Sequence, residues 1–340
     1  MATRRAARSG RTSLWLGLAL LLVSALLGSG YWWIHHPLSG PDTPVELEIE
    51  PGTSARQVAQ SVADTGFSVS PWLLYQWFRG SGEARQIRAG SYEIQPGTSP
   101  VQLLRKLVDG DQTLARLRLI EGWTFRQVRA ELARTPTLRA ESAAMSDAEL
   151  MAALGAPGVA PEGRFFPDTY TYAKGSSDLA VLRRAHAAMR KRIESAWAQR
   201  SPDTPLTSPD DLLTLASIVE KETGRADDRP MVASVFVNRL RIRMPLQTDP
   251  TVIYGLGEQF DGNLRRKDLQ TDTPYNTYTR TGLPPTPIAM PGRDSLMAAI
   301  RPASSKALYF VARGDGTSQF SETLADHNRA VDKFQRKAAR

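Results

Sequence analysis

The chain has 340 residues, 41% hydrophobic and 23% charged, with 23 prolines and 25 glycines; that length suits about two folded units, and the composition excludes wholesale disorder. The absence of cysteine rules out disulfide staples, zinc-thiolate and iron-sulfur sites, a thiol nucleophile and a lipidated cysteine anchor. The net charge is +8, but Arg4, Arg5, Arg8 and Arg11 crowd the first eleven residues, so the remaining excess is modest and argues against a nucleic-acid partner.

Residues 1–13 read as a basic tail, expected to be cytoplasmic. From Leu14 to Ile34 no charged residue occurs, and 1.5 Å per residue carries that run across roughly 30 Å, the hydrocarbon thickness of a bilayer. A single transmembrane helix over 14–34 is therefore expected, with the arginines on the cytoplasmic side and Tyr31, Trp32 and Trp33 at the far interface. A cleavable signal peptide is the rival reading, because Gly28-Ser29-Gly30 supplies small residues; the apolar run continues past them, and either reading exports the rest of the chain. Residues 35–44, with Pro37, Gly40, Pro41 and Pro44, form an extended linker.

Next, one pattern recurs three times. Val45–Ile49 leads into Pro51-Gly52-Thr53-Ser54, Tyr92–Ile94 into Pro96-Gly97-Thr98-Ser99, and Leu117–Ile120 into Glu121-Gly122-Trp123-Thr124. Each reads as strand, tight turn, helix, with capping boxes pairing Ser54 with Gln57, Ser99 with Gln102 and Thr124 with Gln127, and with Pro100 at a first helical position. The unequal spacing of the three copies excludes a solenoid. The first two units, within residues 45–115, resemble a LysM-like β-α module, a small fold associated with glycans containing N-acetylglucosamine; a structural spacer is the alternative.

The segment Thr207–Gly224 reads as a helix capped by Ser208, with Pro209 at its first position, Asp211 completing an [ST]-x-x-[DE] box and Gly224 closing its end. Helical spacing centres Leu212, Ala216 and Val219 on an apolar face and sets Glu220 and Glu222 on opposite flanks. A carboxyl at the margin of a buried face can lose enough water to stay protonated near neutral pH, which suits the general acid of glycosidic cleavage. The spacing does not choose between the two, and solvated surface glutamates are the plainer reading.

Downstream and upstream of this helix, polar and aromatic residues lie among prolines without strand or helix period, in 245–251, 274–285 and 162–170. Gln247, Thr248, Tyr275, Asn276 and Tyr278 supply the amides, hydroxyls and aromatic faces that a sugar cleft uses. Among the histidines His35, His36, His186 and His327 only the first two are adjacent, so no metal and no other cofactor is expected.

The runs Leu215–Thr223, Ala233–Leu240, Leu246–Gly255, Tyr275–Tyr278 with Gly282-Leu283-Pro284-Pro285, Glu162-Gly163 with Phe166–Tyr170, and Leu308–Ala312 through His327-Asn328 closely resemble the membrane-anchored endolytic murein transglycosylases of the YceG-like family. That resemblance implies an α+β protein with an N-terminal transmembrane helix, a small LysM-like β-α module at 45–115 and a mixed α+β catalytic domain at 116–335. It implies that Glu220 is the catalytic residue, with Glu162, Gln247, Thr248, Tyr275, Asn276 and Tyr278 as substrate-binding candidates. It also implies cleavage of nascent glycan strands between N-acetylmuramic acid and N-acetylglucosamine, leaving 1,6-anhydro ends, beside the cell-wall synthases (penicillin-binding proteins). The location implied is a single pass through the bacterial inner membrane, N-terminus in the cytoplasm and catalytic domain in the periplasm.

Two rivals remain at this level. A hydrolytic muramidase would need a second carboxylate, from among Glu162, Asp168, Glu222 and Asp249. A wall-binding tether would need no catalysis at all. Serine chemistry fails on spacing, since Ser217 and Lys221 are four residues apart rather than three and no G-x-S-x-G occurs. In the last third, a strand at Leu308–Ala312 and a hairpin turn through Gly314-Asp315-Gly316 are expected.

Overall fold

The computed structural model describes residues 3–336; Met1 and Ala2 of the expected tail, and the side chains of its four arginines, lie outside what is described. The fold is α+β. Two compact units divide the chain: Met1–Ala115 with Ala173–Ser176, and Arg116–Tyr172 with Ser177–Arg340.

In the first unit, helix α1 (Thr3–His35) contains a stretch, Gly17–His35, long and apolar enough to cross a membrane, and the rest of the protein does not bury it. Strand β1 (Val45–Ile49), helices α2 (Ala55–Asp64) and α3 (Pro71–Gly80), strand β2 (Gly90–Ile94) and helix α4 (Pro100–Asp109) follow. β1 and β2 pair antiparallel with Leu47 opposite Tyr92. Strand alternation sends Leu47, Ile49, Tyr92 and Ile94 inward, where they meet Val58, Val62, Leu74, Phe78, Leu103 and Leu107. Both expected capping boxes form: Ser54 and Ser99 accept from the backbones of Gln57 and Gln102, whose side chains reach back. Gly52 and Gly97 sit at φ of 90° and 80°, which the tight turns feeding α2 and α4 demand.

Strand β3 (Leu114–Arg118) ends three residues before the Glu121-Gly122 turn, and its partner is β4 (Thr169–Ala173). The third strand thus lies earlier than the expected Leu117–Ile120, because Leu119 already leaves the strand to bond Asp168 and Ile120 closes the turn onto Trp123. Helices α5 (Phe125–Ala133), with its capping box from Thr124, and α6 (Asp147–Ala153) precede β4. Then come α7 (Asp178–Trp197), α8 (Pro209–Glu222), α9 (Arg229–Arg241), α10 (Asp249–Leu256), α11 (Arg266–Gln270) and α12 (Arg293–Ile300). A terminal hairpin, β5 (Tyr309–Ala312) with β6 (Ser318–Ser321), turns through Gly314–Gly316 as expected, and α13 (Leu324–Val331) runs into a π-helical turn at Asp332–Arg336 that ends the described fold.

The second unit is organised around α8. All eight residues from Leu212 to Val219 are buried, because α7, α9, α10 and α12 pack around this helix. Ser208 caps it as expected, whereas Asp211 reaches past the cap to the N–H and hydroxyl of Thr207. Its C-terminus differs from the expectation: the helix stops at Glu222 with Thr223 extended at φ −144°, and Gly224 supplies no left-handed cap. Residues 249–251, the end of the segment 245–251 expected to be irregular, instead open α10, with Pro250 in the first turn, where its missing N–H costs nothing.

Candidate active site

At its C-terminal end α8 leaves the core, and its last turn delivers two carboxylates to different places. Glu222 turns toward Thr248, whose hydroxyl donates to it. Its burial pushes its protonation above the ordinary carboxylate range, with Asp249 adding to the shift and Arg239 opposing it. Glu220 turns to the start of α12. Its Oε2 accepts the backbone N–H of Gly292 at 2.9 Å and the hydroxyl of Ser295 at 2.7 Å. Both donors lie in the positive first turn of that helix, a natural seat for a carboxylate. Oε1 makes no such bond and stands 4.0 Å from Nη2 of Arg229, with the Glu220 side chain 8% exposed. One oxygen is held by two donors and the other by none.

The turn before α5 lies over this carboxylate. Gly122 donates to the carbonyl of Met290, Met290 donates to that of Trp123, and Lys221 Nζ donates to that of Gly122. These straps bring Glu121 against Gly292, where a Cβ would fall 1.9 Å from its Oε1. Lost hydration and then the charge of Glu220 push Glu121 above the usual carboxylate range, against the pull of Arg229.

A cleft of about 700 Å³ is lined by Lys221 together with Thr124, Glu162, Ile253, Tyr254 and Tyr275, a size that holds one or two sugar rings. Tyr254 and Tyr275 meet edge to face at 4.9 Å. Glu162 is buried and accepts the N–H of Phe125 at 3.0 Å and the hydroxyl of Tyr254 at 3.1 Å. Desolvation lifts it to about 7 in spite of these donors. A carboxyl raised from 4.5 in the fold holds its proton more tightly when native. Its contribution is therefore intact at low pH and is lost as pH climbs from about 4.5 through about 7. Glu162→Gln keeps an acceptor for Phe125, so the variant is expected to flatten the stability loss between pH 5 and 8, on the order of 2 kcal/mol, as read by urea melts; a parallel shift at all pH values would contradict this.

Of the residues expected to bind substrate, Glu162 and Tyr275 line the cleft. Gln247 is exposed at a left-handed φ of 50°, held there by bonds from its own N–H and that of Thr248 to Thr277. Thr248 is buried under Glu222, and the hydroxyl of Tyr278 donates to Asp249 at 2.5 Å. Asn276 is also buried, and its amide spans the carbonyls of Asp268, Leu269 and Thr271 while its oxygen accepts from Tyr278 N–H; its polar groups go to the loop. Ser217 is equally committed, donating to Thr214 and accepting from Ile288.

Sequence reasoning missed Glu121, Arg229, Gly292 and Ser295. In the sequence Glu121 reads only as part of a turn. The Pro291-Gly292 break before the apolar residues Leu296, Ala299 and Ile300 was the available sign of a helix start able to hold an anion. Arg229 carried no spacing signal at all.

Among relatives, the chain is 31% identical to an endolytic murein transglycosylase of Bacillus subtilis over 86% of this chain and 85% of the relative. It is 26% identical to one of Streptococcus pneumoniae over 92% of its own length, spanning 64% of that longer protein. Its fold matches the crystal structure of a yceG-like protein of Listeria monocytogenes with a TM-score of 0.55 and 32% identity, covering 85% of this chain and 99% of that one. The family model described as YceG-like matches residues 47–333. With that span matched, the chain belongs to the YceG-like family.

Proposed function

We propose that this protein is an endolytic murein transglycosylase that cuts glycan strands between N-acetylmuramic acid and N-acetylglucosamine, with Glu220 as its catalytic acid and base. The observation that carries the assignment is the asymmetric hold on Glu220: two donors grip Oε2 while Oε1 stays unbonded. The relatives named for this activity support the reaction class.

One carboxyl suffices for the chemistry. The proton of Glu220 passes to the glycosidic oxygen as its bond to C1 breaks. The carboxylate so formed takes the proton of the muramic C6 hydroxyl, whose oxygen bonds to C1 and closes a 1,6-anhydro ring. Glu220 ends protonated, as it began. Because the nucleophile belongs to the same sugar, its fixed proximity replaces a bound water and lowers the barrier by several kcal/mol, provided water is kept from the cation-like carbon. Glu220 itself does not line the cleft, but its neighbour Lys221 does, and Tyr254, Tyr275 and Ile253 give that cleft an apolar wall suited to such exclusion.

The β1-α2-α3-β2 order with antiparallel outer strands supports reading residues 45–115 as a LysM-like module that holds glycan. Helix α1 we read as a single-pass anchor with its arginine-rich end in the cytoplasm, which sets residues 116–335 to work on strands leaving the cell-wall synthases at the outer face of the inner membrane. Digestion of peptidoglycan in heavy-oxygen water tests the reaction. Unlabelled anhydro ends in the mass spectrum are expected, and labelled reducing ends would make the protein a hydrolytic muramidase.

A further inference from the structure

Arg229 is a buried cation whose donors are unspent. Its side chain is only 10% exposed, yet among the described residues its guanidinium makes no hydrogen bond. Nη2 stands 4.0 Å from Glu220 Oε1 and Nη1 3.6 Å from Asp294, both beyond hydrogen-bond range. Nε is sealed from solvent with no partner, so no protein acceptor sets the guanidinium in place. A guanidinium placed only to neutralise those carboxylates would close on them to about 2.8 Å with paired bonds.

Nor does its position serve the helix that carries it. Arg229 is the first residue of α9, where the positive end of the helix dipole disfavours a cation. The backbone is nonetheless pinned on both sides: the Asp228 carboxylate accepts the N–H of Ser318 at 2.9 Å, and the Pro230 carbonyl accepts that of Ala303 at 3.0 Å. A fixed backbone thus presents unpaired donors beside the one oxygen of Glu220 that carries no hydrogen bond.

The glycan strand offers several acceptors, and the neighbouring charges choose among them. A stem-peptide carboxylate would meet Glu220 and Asp294 along with Arg229 and be repelled by both. Ring hydroxyls are neutral, but an amide carbonyl is the stronger acceptor. The acetamido carbonyl of the muramic sugar is neutral and is carried on C2, next to the C1 whose bond to oxygen breaks. Groups on adjacent ring carbons lie a few Å apart, the scale of the 4.0 Å from Nη2 to Oε1.

Resting on the proposed role of Glu220, we infer that Arg229 binds substrate: its guanidinium donates to the C2 acetamido carbonyl of the muramic sugar and so sets the glycosidic oxygen on Glu220 Oε1. The sugar supplies the hydrogen-bond acceptor that Glu220 and Asp294 do not, and the grip selects N-acetylated strands. Arg229 forms and breaks no covalent bond.

The test compares kcat/KM for the full chain in detergent micelles on N-acetylated strands and on strands whose muramic residues have been de-N-acetylated. Wild type, Arg229→Met, Arg229→Lys and Glu220→Gln are assayed, each with a thermal melt. Wild type is expected to prefer the N-acetylated strand by about ten- to a hundred-fold, the worth of a hydrogen bond to a charged group. In Arg229→Met that preference collapses toward unity, because cleavage of the acetylated strand falls while that of the other does not. Arg229→Lys keeps the charge among the carboxylates without the forked donors; it carries the test should the methionine variant fail to fold, and its preference should be intermediate. A wild type indifferent to the acetyl group would overturn the inference, as would variants that lose activity equally on both strands, the mark of a charge that only supports the fold. Cleavage surviving in Glu220→Gln would instead overturn the assignment of the acid, so the two failures are separable.

Discussion

Glu220→Gln is expected to lower glycan cleavage by a thousand-fold or more, on the order of what removing a general acid together with its later role as base costs. The amide cannot release a proton to the glycosidic oxygen and cannot take one from the C6 hydroxyl. The fold should not notice the change, because an amide oxygen still accepts from Gly292 N–H and the Ser295 hydroxyl, which hold Oε2 at 2.9 and 2.7 Å. Product mass spectrometry paired with a thermal melt checks both halves, and activity retained in a well-folded variant would remove Glu220 from the mechanism.

Asn276→Ala should do its damage through the fold. The amide of Asn276 ties the carbonyls of Asp268, Leu269 and Thr271 at the end of α11 and accepts Tyr278 N–H, all from a buried position. Truncation leaves those carbonyls without their donor in a place water reaches poorly, at a cost of about 3 kcal/mol, or roughly 6–12 °C in melting temperature for a unit of this size. The adjoining Tyr275, which lines the cleft and bonds Thr286 at 2.8 Å, loses its footing, so turnover should fall together with stability. If the variant kept its melting temperature while its apparent affinity for glycan dropped, Asn276 would be a sugar ligand after all.

That contrast shows where the sequence was readable and where it was not. Capping boxes are local, and those at Ser54, Ser99 and Thr124 form as their spacing required. The amphipathic pattern of α8 located the helix, but it pictured one apolar face where four helices in fact enclose eight consecutive residues; periodicity along one element says nothing about how many neighbours it will have. Residue type marked Asn276 and Thr248 as apt for sugar because an amide or hydroxyl looks the same whether it serves a ligand or a backbone carbonyl. Burial decides between these uses, and burial is a property of the packed fold. Glu121 and Arg229 were illegible for the same reason: their relation to Glu220 exists only across contacts distant in sequence.

The straps joining Trp123 to Met290, and the donors offered by Gly292 and Ser295, also set the order in which this enzyme becomes dangerous. Proteins are made N-terminus first, so Glu220 emerges before the segment that grips it. A nascent chain not yet past Ser295 carries the carboxylate but not its cradle, and a premature stop codon anywhere upstream leaves it in that state. A chain that ends before Ser295 is therefore expected to lack glycan cleavage even where it keeps Glu220, which a digestion assay of such a truncation would check.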